Sequence, residues 1–294
     1  MARHRPFPVL VATDGSPSAR AAIAVAAAFP WPRGSQGHGV LARQPEPPAA
    51  TPRRLRPALE RHGMRIVAGA RRVLARRWPG VDVALVNKPP VMAIVDEARR
   101  LHAAVVVLGW RGHSRLRRLL FGSVSRGVVR QAARPVLVVR RRPRDLRSFV
   151  IGLDGSRNSR RAARFLAGLR PPRRARVTLV RVEEPVVVPS AALLPANVRA
   201  VVREELVALH RARRARDDRE TDKVAESLVK AGWTVRTSIR SGTPLDTLLE
   251  VVRATRSGVL VVGARGAGGL RRLLLGSVAE GALNHSPVPV LVVR

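Results

Sequence analysis

The chain has 294 residues, 46% of them hydrophobic, which is enough for packed cores and points to two domains of roughly 150 residues each. It has no cysteine, which excludes disulfides, thiolate catalysis and cysteine-based zinc sites together. The formal net charge is +35, but 52 of the 55 basic residues are arginines spread along the whole length, and no aromatic ladder accompanies them, so the charge reads as a solvated basic surface and not as a specific nucleic-acid site.

The first apolar run, Pro8 to Ala12, leads to Asp14-Gly15-Ser16 and an alanine-rich stretch ending at Phe29. A run that is apolar throughout reads as a strand buried on both sheet faces. Ser16 is placed to cap the helix that follows. The run is too short for a signal-peptide core. No stretch approaches the ~18 uninterrupted apolar residues of a membrane span, so a cytoplasmic protein with no membrane partner is expected. Residues 34–52, GSQGHGVLARQPEPPAATP, are rich in glycine and proline. Proline cannot donate to a sheet ladder, so the second strand is expected to be short or frayed here. A strand follows at Val81 to Val86, then a helix opening near Pro90, where proline is well tolerated. The next strand ends on Gly109, a further helix opens at Gly122-Ser123, and the closing strand is Pro135 to Val139.

Residues 140–148, RRRPRDLRS, are polar, charged and broken by proline, and form the expected boundary. The pattern then repeats. Phe149 to Leu169 carries Asp154-Gly155-Ser156, and RVTLVRVEEP is a good second strand. Asn197 to Gly232 reads as a long amphipathic helix whose arginines form a wet face. A strand at Trp233 to Ile239, a helix near Pro244, a strand ending on Gly263 and a closing strand, Pro289 to Val293, complete the copy. Strands alternating with helices predict the α/β class: two tandem doubly wound, Rossmann-like parallel-sheet domains, 1–142 and 149–294.

Residues 109–140 and 263–294 lie over each other without a gap and agree at 18 of 32 positions. Both carry G-x-x-G, nine residues, then G-S: Gly109, Gly112, Gly122 and Ser123 in the first copy, Gly263, Gly266, Gly276 and Ser277 in the second. The first glycine sits just past the C-terminal end of a strand, where open α/β sheets bind ligands. Glycine allows positive φ and close approach of a ligand to the backbone. The Gly-Ser pair opens a helix, whose free N–H groups and partial positive charge suit phosphate, and the serine hydroxyl can donate to a phosphate oxygen. Each copy also has an upstream aspartate, Asp14 or Asp154. Together these point to a nucleotide. The pattern is neither G-x-G-x-x-G nor a Walker A loop, since no G-K-[ST] occurs.

These motifs resemble those of the tandem, ATP-binding universal stress proteins, over about residues 8–140 and 149–294. The resemblance implies an ATP-binding stress-response regulator, with Mg²⁺ allowed beside the nucleotide. It implies that Asp14 and Asp154 meet the ribose and adenine side, lined also by Ala12 and Gly152. Val182 would read the adenine through its backbone; repeat 1 offers no clear equivalent, Gln44 being the nearest candidate. Gly109, Gly112, Gly263 and Gly266 would hold ribose and phosphates, with Arg111 and Arg265 flanking the triphosphate. Gly122, Ser123, Val124, Gly276, Ser277 and Val278 would form the phosphate end. It also implies that the closing strands pair across a two-fold, here as a pseudo-dimer within one chain, with a homodimer as a further option. Two departures stand out: Lys88 replaces a glycine that repeat 2 keeps as Gly242, and an aspartate before the fourth strand is Ala104 or Gly258. His113 is Ala267 in the second copy, so it is not a shared catalytic residue, and no catalytic group is expected. The alternatives are a slow ATPase or phosphoryl-transfer enzyme and a basic nucleic-acid-associated protein. The irregular second strand of repeat 1 leads to the expectation that repeat 2 binds ATP more tightly.

Overall fold

The apolar runs become the strands of a single sheet. In this computed structural model, residues 6–44, 55–112, 122–183, 195–266 and 275–294 are described. The first repeat runs β1 (Phe7–Thr13), α1 (Pro17–Ala28), β2 (Ser35–Arg43), α2 (Arg56–Leu74), β3 (Asp82–Asn87), α3 (Pro90–Arg100), β4 (Val105–Gly109), α4 (Ser123–Gln131) and β5 (Val136–Val139). The second runs β6 (Ser148–Leu153), α5 (Arg157–Ala167), β7 (Arg176–Glu183), α6 (Ala196–Lys230), β8 (Thr234–Ser241), α7 (Pro244–Ala254), β9 (Val259–Gly263), α8 (Ser277–His285) and β10 (Val290–Val293). The strand order is β3-β2-β1-β4-β5-β10-β9-β6-β7-β8. Each half is parallel and doubly wound, as the sequence predicts.

The halves meet at one antiparallel pair. Val290, Leu291 and Val292 of β10 lie opposite Val138, Leu137 and Val136 of β5. The pseudo-dimer is therefore intramolecular, and each repeat covers the apolar strand edge that the other would expose. That edge is no longer open to a homodimer.

Strand residues alternate between two cores. Val9, Val11, Leu137, Ile151 and Leu291 pack beneath α1, α2, α5 and α6. Leu10, Val106, Val138, Val150 and Val292 pack beneath α3, α4, α7 and α8. The first core crosses the repeat boundary through aromatic rings: Phe7 lies 6.1 Å from Phe165, and Phe29 lies edge-on to Phe149 at 5.8 Å.

The expectation of a frayed second strand in repeat 1 is wrong. β2 is nine residues long and pairs with β1 on one side and β3 on the other. Its glycines are needed because large side chains occupy the space their own would fill. A Cβ on Gly37 would run into the buried Trp78 ring, and one on Gly39 would lie 2.7 Å from Val83. Trp78 is itself held, its indole N–H donating to Ser35 Oγ at 3.2 Å. Gly37→Ala is therefore expected to cost about 1–3 kcal/mol, as overpacking does. Urea denaturation of the variant checks this; an unchanged midpoint would mean that Trp78 moves aside freely.

Two other expectations need adjustment. The long helix is present as α6, 35 residues. Among its described side chains, Thr221, Val224, Ala225 and Leu228 near the C-terminal end pack on the first core, and Arg214 is 61% exposed. Gly258 stands where an aspartate was expected because the linker passes over it: a Cβ there would overlap the Asp145 carbonyl.

Candidate functional site

In each half the strand order reverses between the first and fourth strands. β1 has β2 on one side and β4 on the other, and β6 has β7 and β9. The crevice at the carboxyl ends of such a pair is where open α/β sheets take ligands. Asp14 and Asp154 directly follow β1 and β6; Gly109 and Gly263 end β4 and β9. The fold thus brings the aspartates and the glycine loops to the same two crevices.

The aspartate opens a tight turn. Its Oδ1 accepts from the amide two residues on, Ser16 N–H at 2.9 Å and Ser156 N–H at 3.0 Å. Gly15 and Gly155 carry positive φ, 76° and 71°, which a side chain would strain. Ser16 and Ser156 then cap α1 and α5, accepting from Ala19 and Ser159 at 3.2 and 3.1 Å. The same hydroxyls reach the loops, Ser16 Oγ to the Arg111 carbonyl at 3.1 Å and Ser156 Oγ to the Arg265 carbonyl at 3.3 Å. Ser18 also donates to the Arg111 carbonyl, and Asn158 Nδ2 donates to that of Arg265 at 3.3 Å.

The motif glycines serve close approach and not positive φ, since none of the six has a left-handed φ. A Cβ on Gly112 would sit 2.5 Å from Asp14 Oδ2, and one on Gly266 would sit 2.9 Å from Asp154 Oδ2. A Cβ on Gly109 would lie 2.7 Å from the Ala19 backbone nitrogen, and one on Gly263 would lie 3.0 Å from that of Ser159.

Gly122 and Gly276 fold back beside the start of their loops, their N–H groups donating to Trp110 and Ala264 carbonyls at 3.1 and 2.9 Å. Each is the N-cap of the last helix and has no side-chain cap bond. Ser123 and Ser277 are the first helical residues and are exposed, so they are not caps. Among the described residues, then, no side chain caps the N-termini of α4 and α8, whose first amides and partial positive charge suit an anion. Val124 and Val278 pack their side chains on the second core, leaving only their backbone to face the crevice.

The base side is less alike in the two halves. Ala12 is in the second core, and a Cβ on Gly152 would lie 3.1 Å from Leu248. Val182 packs on that same core. Register corrects its expected counterpart: Thr13 lies opposite Leu41 and Leu153 opposite Arg181, so Ala42, and not Gln44, matches Val182. Since β2 is as regular as β7, the reason for expecting tighter binding in repeat 2 is gone. His113 and Ala267 lie outside the described residues, as does the Pro-rich stretch 45–54.

One residue escaped the sequence reading. Arg181 sits where repeat 1 has the core residue Leu41, and its side chain is 6% exposed. Burial opposes its charge, but bonds to Asp218 at 2.6 Å and Glu183 at 2.9 Å outweigh this and raise its pKa. It thereby holds α6 to the end of β7, beside Val182. An arginine between Val180 and Val182, at the strand position where repeat 1 has a leucine, was the available signal.

Two doubly wound domains, each with a glycine-lined crevice at its switch point and an uncapped helix facing it, define the class of protein. The universal stress protein family model matches residues 7–140 and 146–294, and the chain belongs to that family. It is similar to Universal stress protein Rv2005c of Mycobacterium tuberculosis, 31% identical over 254 residues, covering 80% of this chain and 78% of that one. It is also similar to Universal stress protein Rv1996 of the same organism, 32% identical over 200 residues. That match takes in 65% of this chain and spans 59% of the relative's length. The crystal structure of a universal stress protein from Archaeoglobus fulgidus superposes with a TM-score of 0.66 at 19% identity, covering 98% of both chains, which shows the shared fold. Among the described residues, no helix is long and apolar enough to cross a membrane.

Proposed function

We propose that the chain binds ATP in both crevices and acts as a nucleotide-dependent stress-response regulator in the cytoplasm. The observation that carries this reading is the same in each repeat. An aspartate at the end of the first strand touches the second loop glycine, beside the uncapped N-terminus of the last helix. Asp14 with Gly112 and α4, and Asp154 with Gly266 and α8, offer a carboxylate for ribose hydroxyls and backbone amides for phosphate. Ser123 and Ser277, exposed at the first helical position, add hydroxyl donors. Arg111 and Arg265 flank the phosphates, and Mg²⁺ can accompany them. Ala12, Gly152 and Val182 line the base side, where the edge of the first repeat is Ala42.

Freshly purified protein, denatured and analysed for nucleotide, is expected to release one to two adenine nucleotides per chain. Protein that carries none, and takes up none on incubation with ATP, would overturn the reading.

Turnover is expected to be slow. Asp14 and Asp154 are better placed for ribose than for a γ-phosphate, one carboxylate oxygen of each already taking a turn amide, and phosphate would be held chiefly by backbone N–H groups and serine. Phosphoryl transfer needs a group that orients the attacking oxygen. A steady-state assay with Mg²⁺ should therefore give a rate well below the ordinary range, on the order of 1–10³ s⁻¹. A rate inside that range, abolished by a loop substitution, would make the protein an enzyme.

A further inference from the structure

The last helix of each repeat brings its N-cap glycine against its own loop. A Cβ on Gly122 would lie 3.2 Å from Arg111 Cα, and one on Gly276 would lie 3.2 Å from Arg265 Cα. The two helices differ in what holds them there. In α4 the Ser125 hydroxyl donates to the Gly109 carbonyl at 2.6 Å, which ties the first turn to the loop. The counterpart of Ser125 in α8 is Ala279, which has no hydroxyl to give. The contact that fixes α8 is at its other end. Leu283 lies in the last turn, and its carbonyl would ordinarily accept from the amide four residues on. That residue is Pro287, which has no N–H. The Trp110 indole N–H donates to the Leu283 carbonyl instead, at 2.6 Å.

Trp110 belongs to the other repeat. It follows Gly109 in the first glycine loop, at a position the repeated motif leaves free, and repeat 2 has Ala264 there. Its backbone is fixed in its own loop: its N–H donates to the Val139 carbonyl at 2.8 Å, and its carbonyl accepts from Gly122 N–H at 3.1 Å. The indole bond is buried, and a buried carbonyl that loses its donor is costly, so α8 keeps this contact or shifts. α8 is nine residues long and hydrogen-bonded along its length, so a shift at Leu283 is carried back to Gly276. The matching carbonyl of α4, that of Val129, is held by Arg294 at 2.8 Å, but α4 has Ser125 as well.

We infer that Trp110 is a positioning residue for the second crevice. From the first repeat's loop it sets where α8 presents its N-terminus, in place of the hydroxyl that α4 has and α8 lacks. The inference rests on the nucleotide reading above and deepens it: a residue of one repeat governs affinity in the crevice of the other.

The test is calorimetric titration of the full chain with ATP. Two binding events are expected, and the Gly266→Val background, which leaves the first crevice to bind, assigns them. Phenylalanine at 110 keeps a ring and both backbone bonds and removes only the indole donor. Trp110→Phe is expected to weaken ATP about tenfold in the second crevice and less than about threefold in the first. Adding Ala279→Ser, which gives α8 a hydroxyl where α4 has Ser125, should recover most of the loss in the second crevice. A general loss of stability would weaken both crevices alike and would not respond to that hydroxyl. Equal losses in the two crevices, or an unchanged second crevice, would overturn the assignment while nucleotide binding stands. A selective loss that Ala279→Ser leaves in place would overturn the route through α8. Failure of the parent chain to bind ATP at all would overturn the nucleotide reading, and this inference with it.

Discussion

Leu137→Ala and Leu291→Ala are each expected to destabilise the chain by about 2–5 kcal/mol, and by nearly equal amounts. The two leucines are fully buried and lie opposite each other where β5 meets β10. The pseudo-two-fold passes through this pair, so each side chain fills the same kind of space in the same core. Truncating either leaves a cavity at the centre of the ten-stranded sheet, where neighbours on both sides are strands that cannot collapse inward easily. The junction is also where an apolar edge would be exposed if the repeats separated, so both variants should aggregate more readily on warming. Urea denaturation followed by circular dichroism gives the comparison. A loss below about 0.5 kcal/mol in either variant would mean that the repeats are held together by the aromatic contacts of the first core and not by this strand pair.

The second large effect is on binding. Gly112→Val and Gly266→Val should each remove one of two ATP sites. The new Cβ would fall 2.5 Å from Asp14 Oδ2 or 2.9 Å from Asp154 Oδ2, inside van der Waals contact, and valine adds two methyls beyond it. The aspartate must turn away or the loop must lift, and either breaks the alignment of carboxylate and amides. Losing two charge-assisted hydrogen bonds, at about 1.5 kcal/mol each, corresponds to roughly a hundredfold in affinity. Both glycines are exposed, so the melting temperature should change little. Titration calorimetry should then report one site per chain for each variant and none for the double variant. Two sites of unchanged affinity in either single variant would show that this glycine–aspartate contact lies away from the nucleotide.

Much of this was legible without coordinates because it is local or repeated. Ser16 and Ser156 cap helices because a short side-chain oxygen two residues past an aspartate meets the first free amides whatever surrounds it. Strands with no polar alternation had to be buried on both faces, which requires helices on both sides of a parallel sheet. The duplicated closing strand implied its own partner, since an apolar edge needs cover and the twin lies in the same chain. The glycine loop announced itself twice at equal spacing.

What the sequence left open, or led astray, depends on atoms far away along the chain. Gly37 and Gly39 looked like strand breakers, yet they sustain β2 because Trp78 and Val83, roughly 40 residues on, supply the bulk that the glycines lack. Gly258 breaks the family pattern because the linker carbonyl of Asp145 occupies the place of its side chain. Arg181 can be buried only because Asp218 comes down from α6 to meet it. The match between Ala42 and Val182 follows from strand register, which pairs residues by hydrogen bonds and not by local composition. The Trp110 indole N–H finds its acceptor in the other repeat, the Leu283 carbonyl 173 residues away. Local sequence fixes what backbone and cap a segment prefers; which space is already filled, and which donor reaches a carbonyl first, is decided only when distant segments pack together.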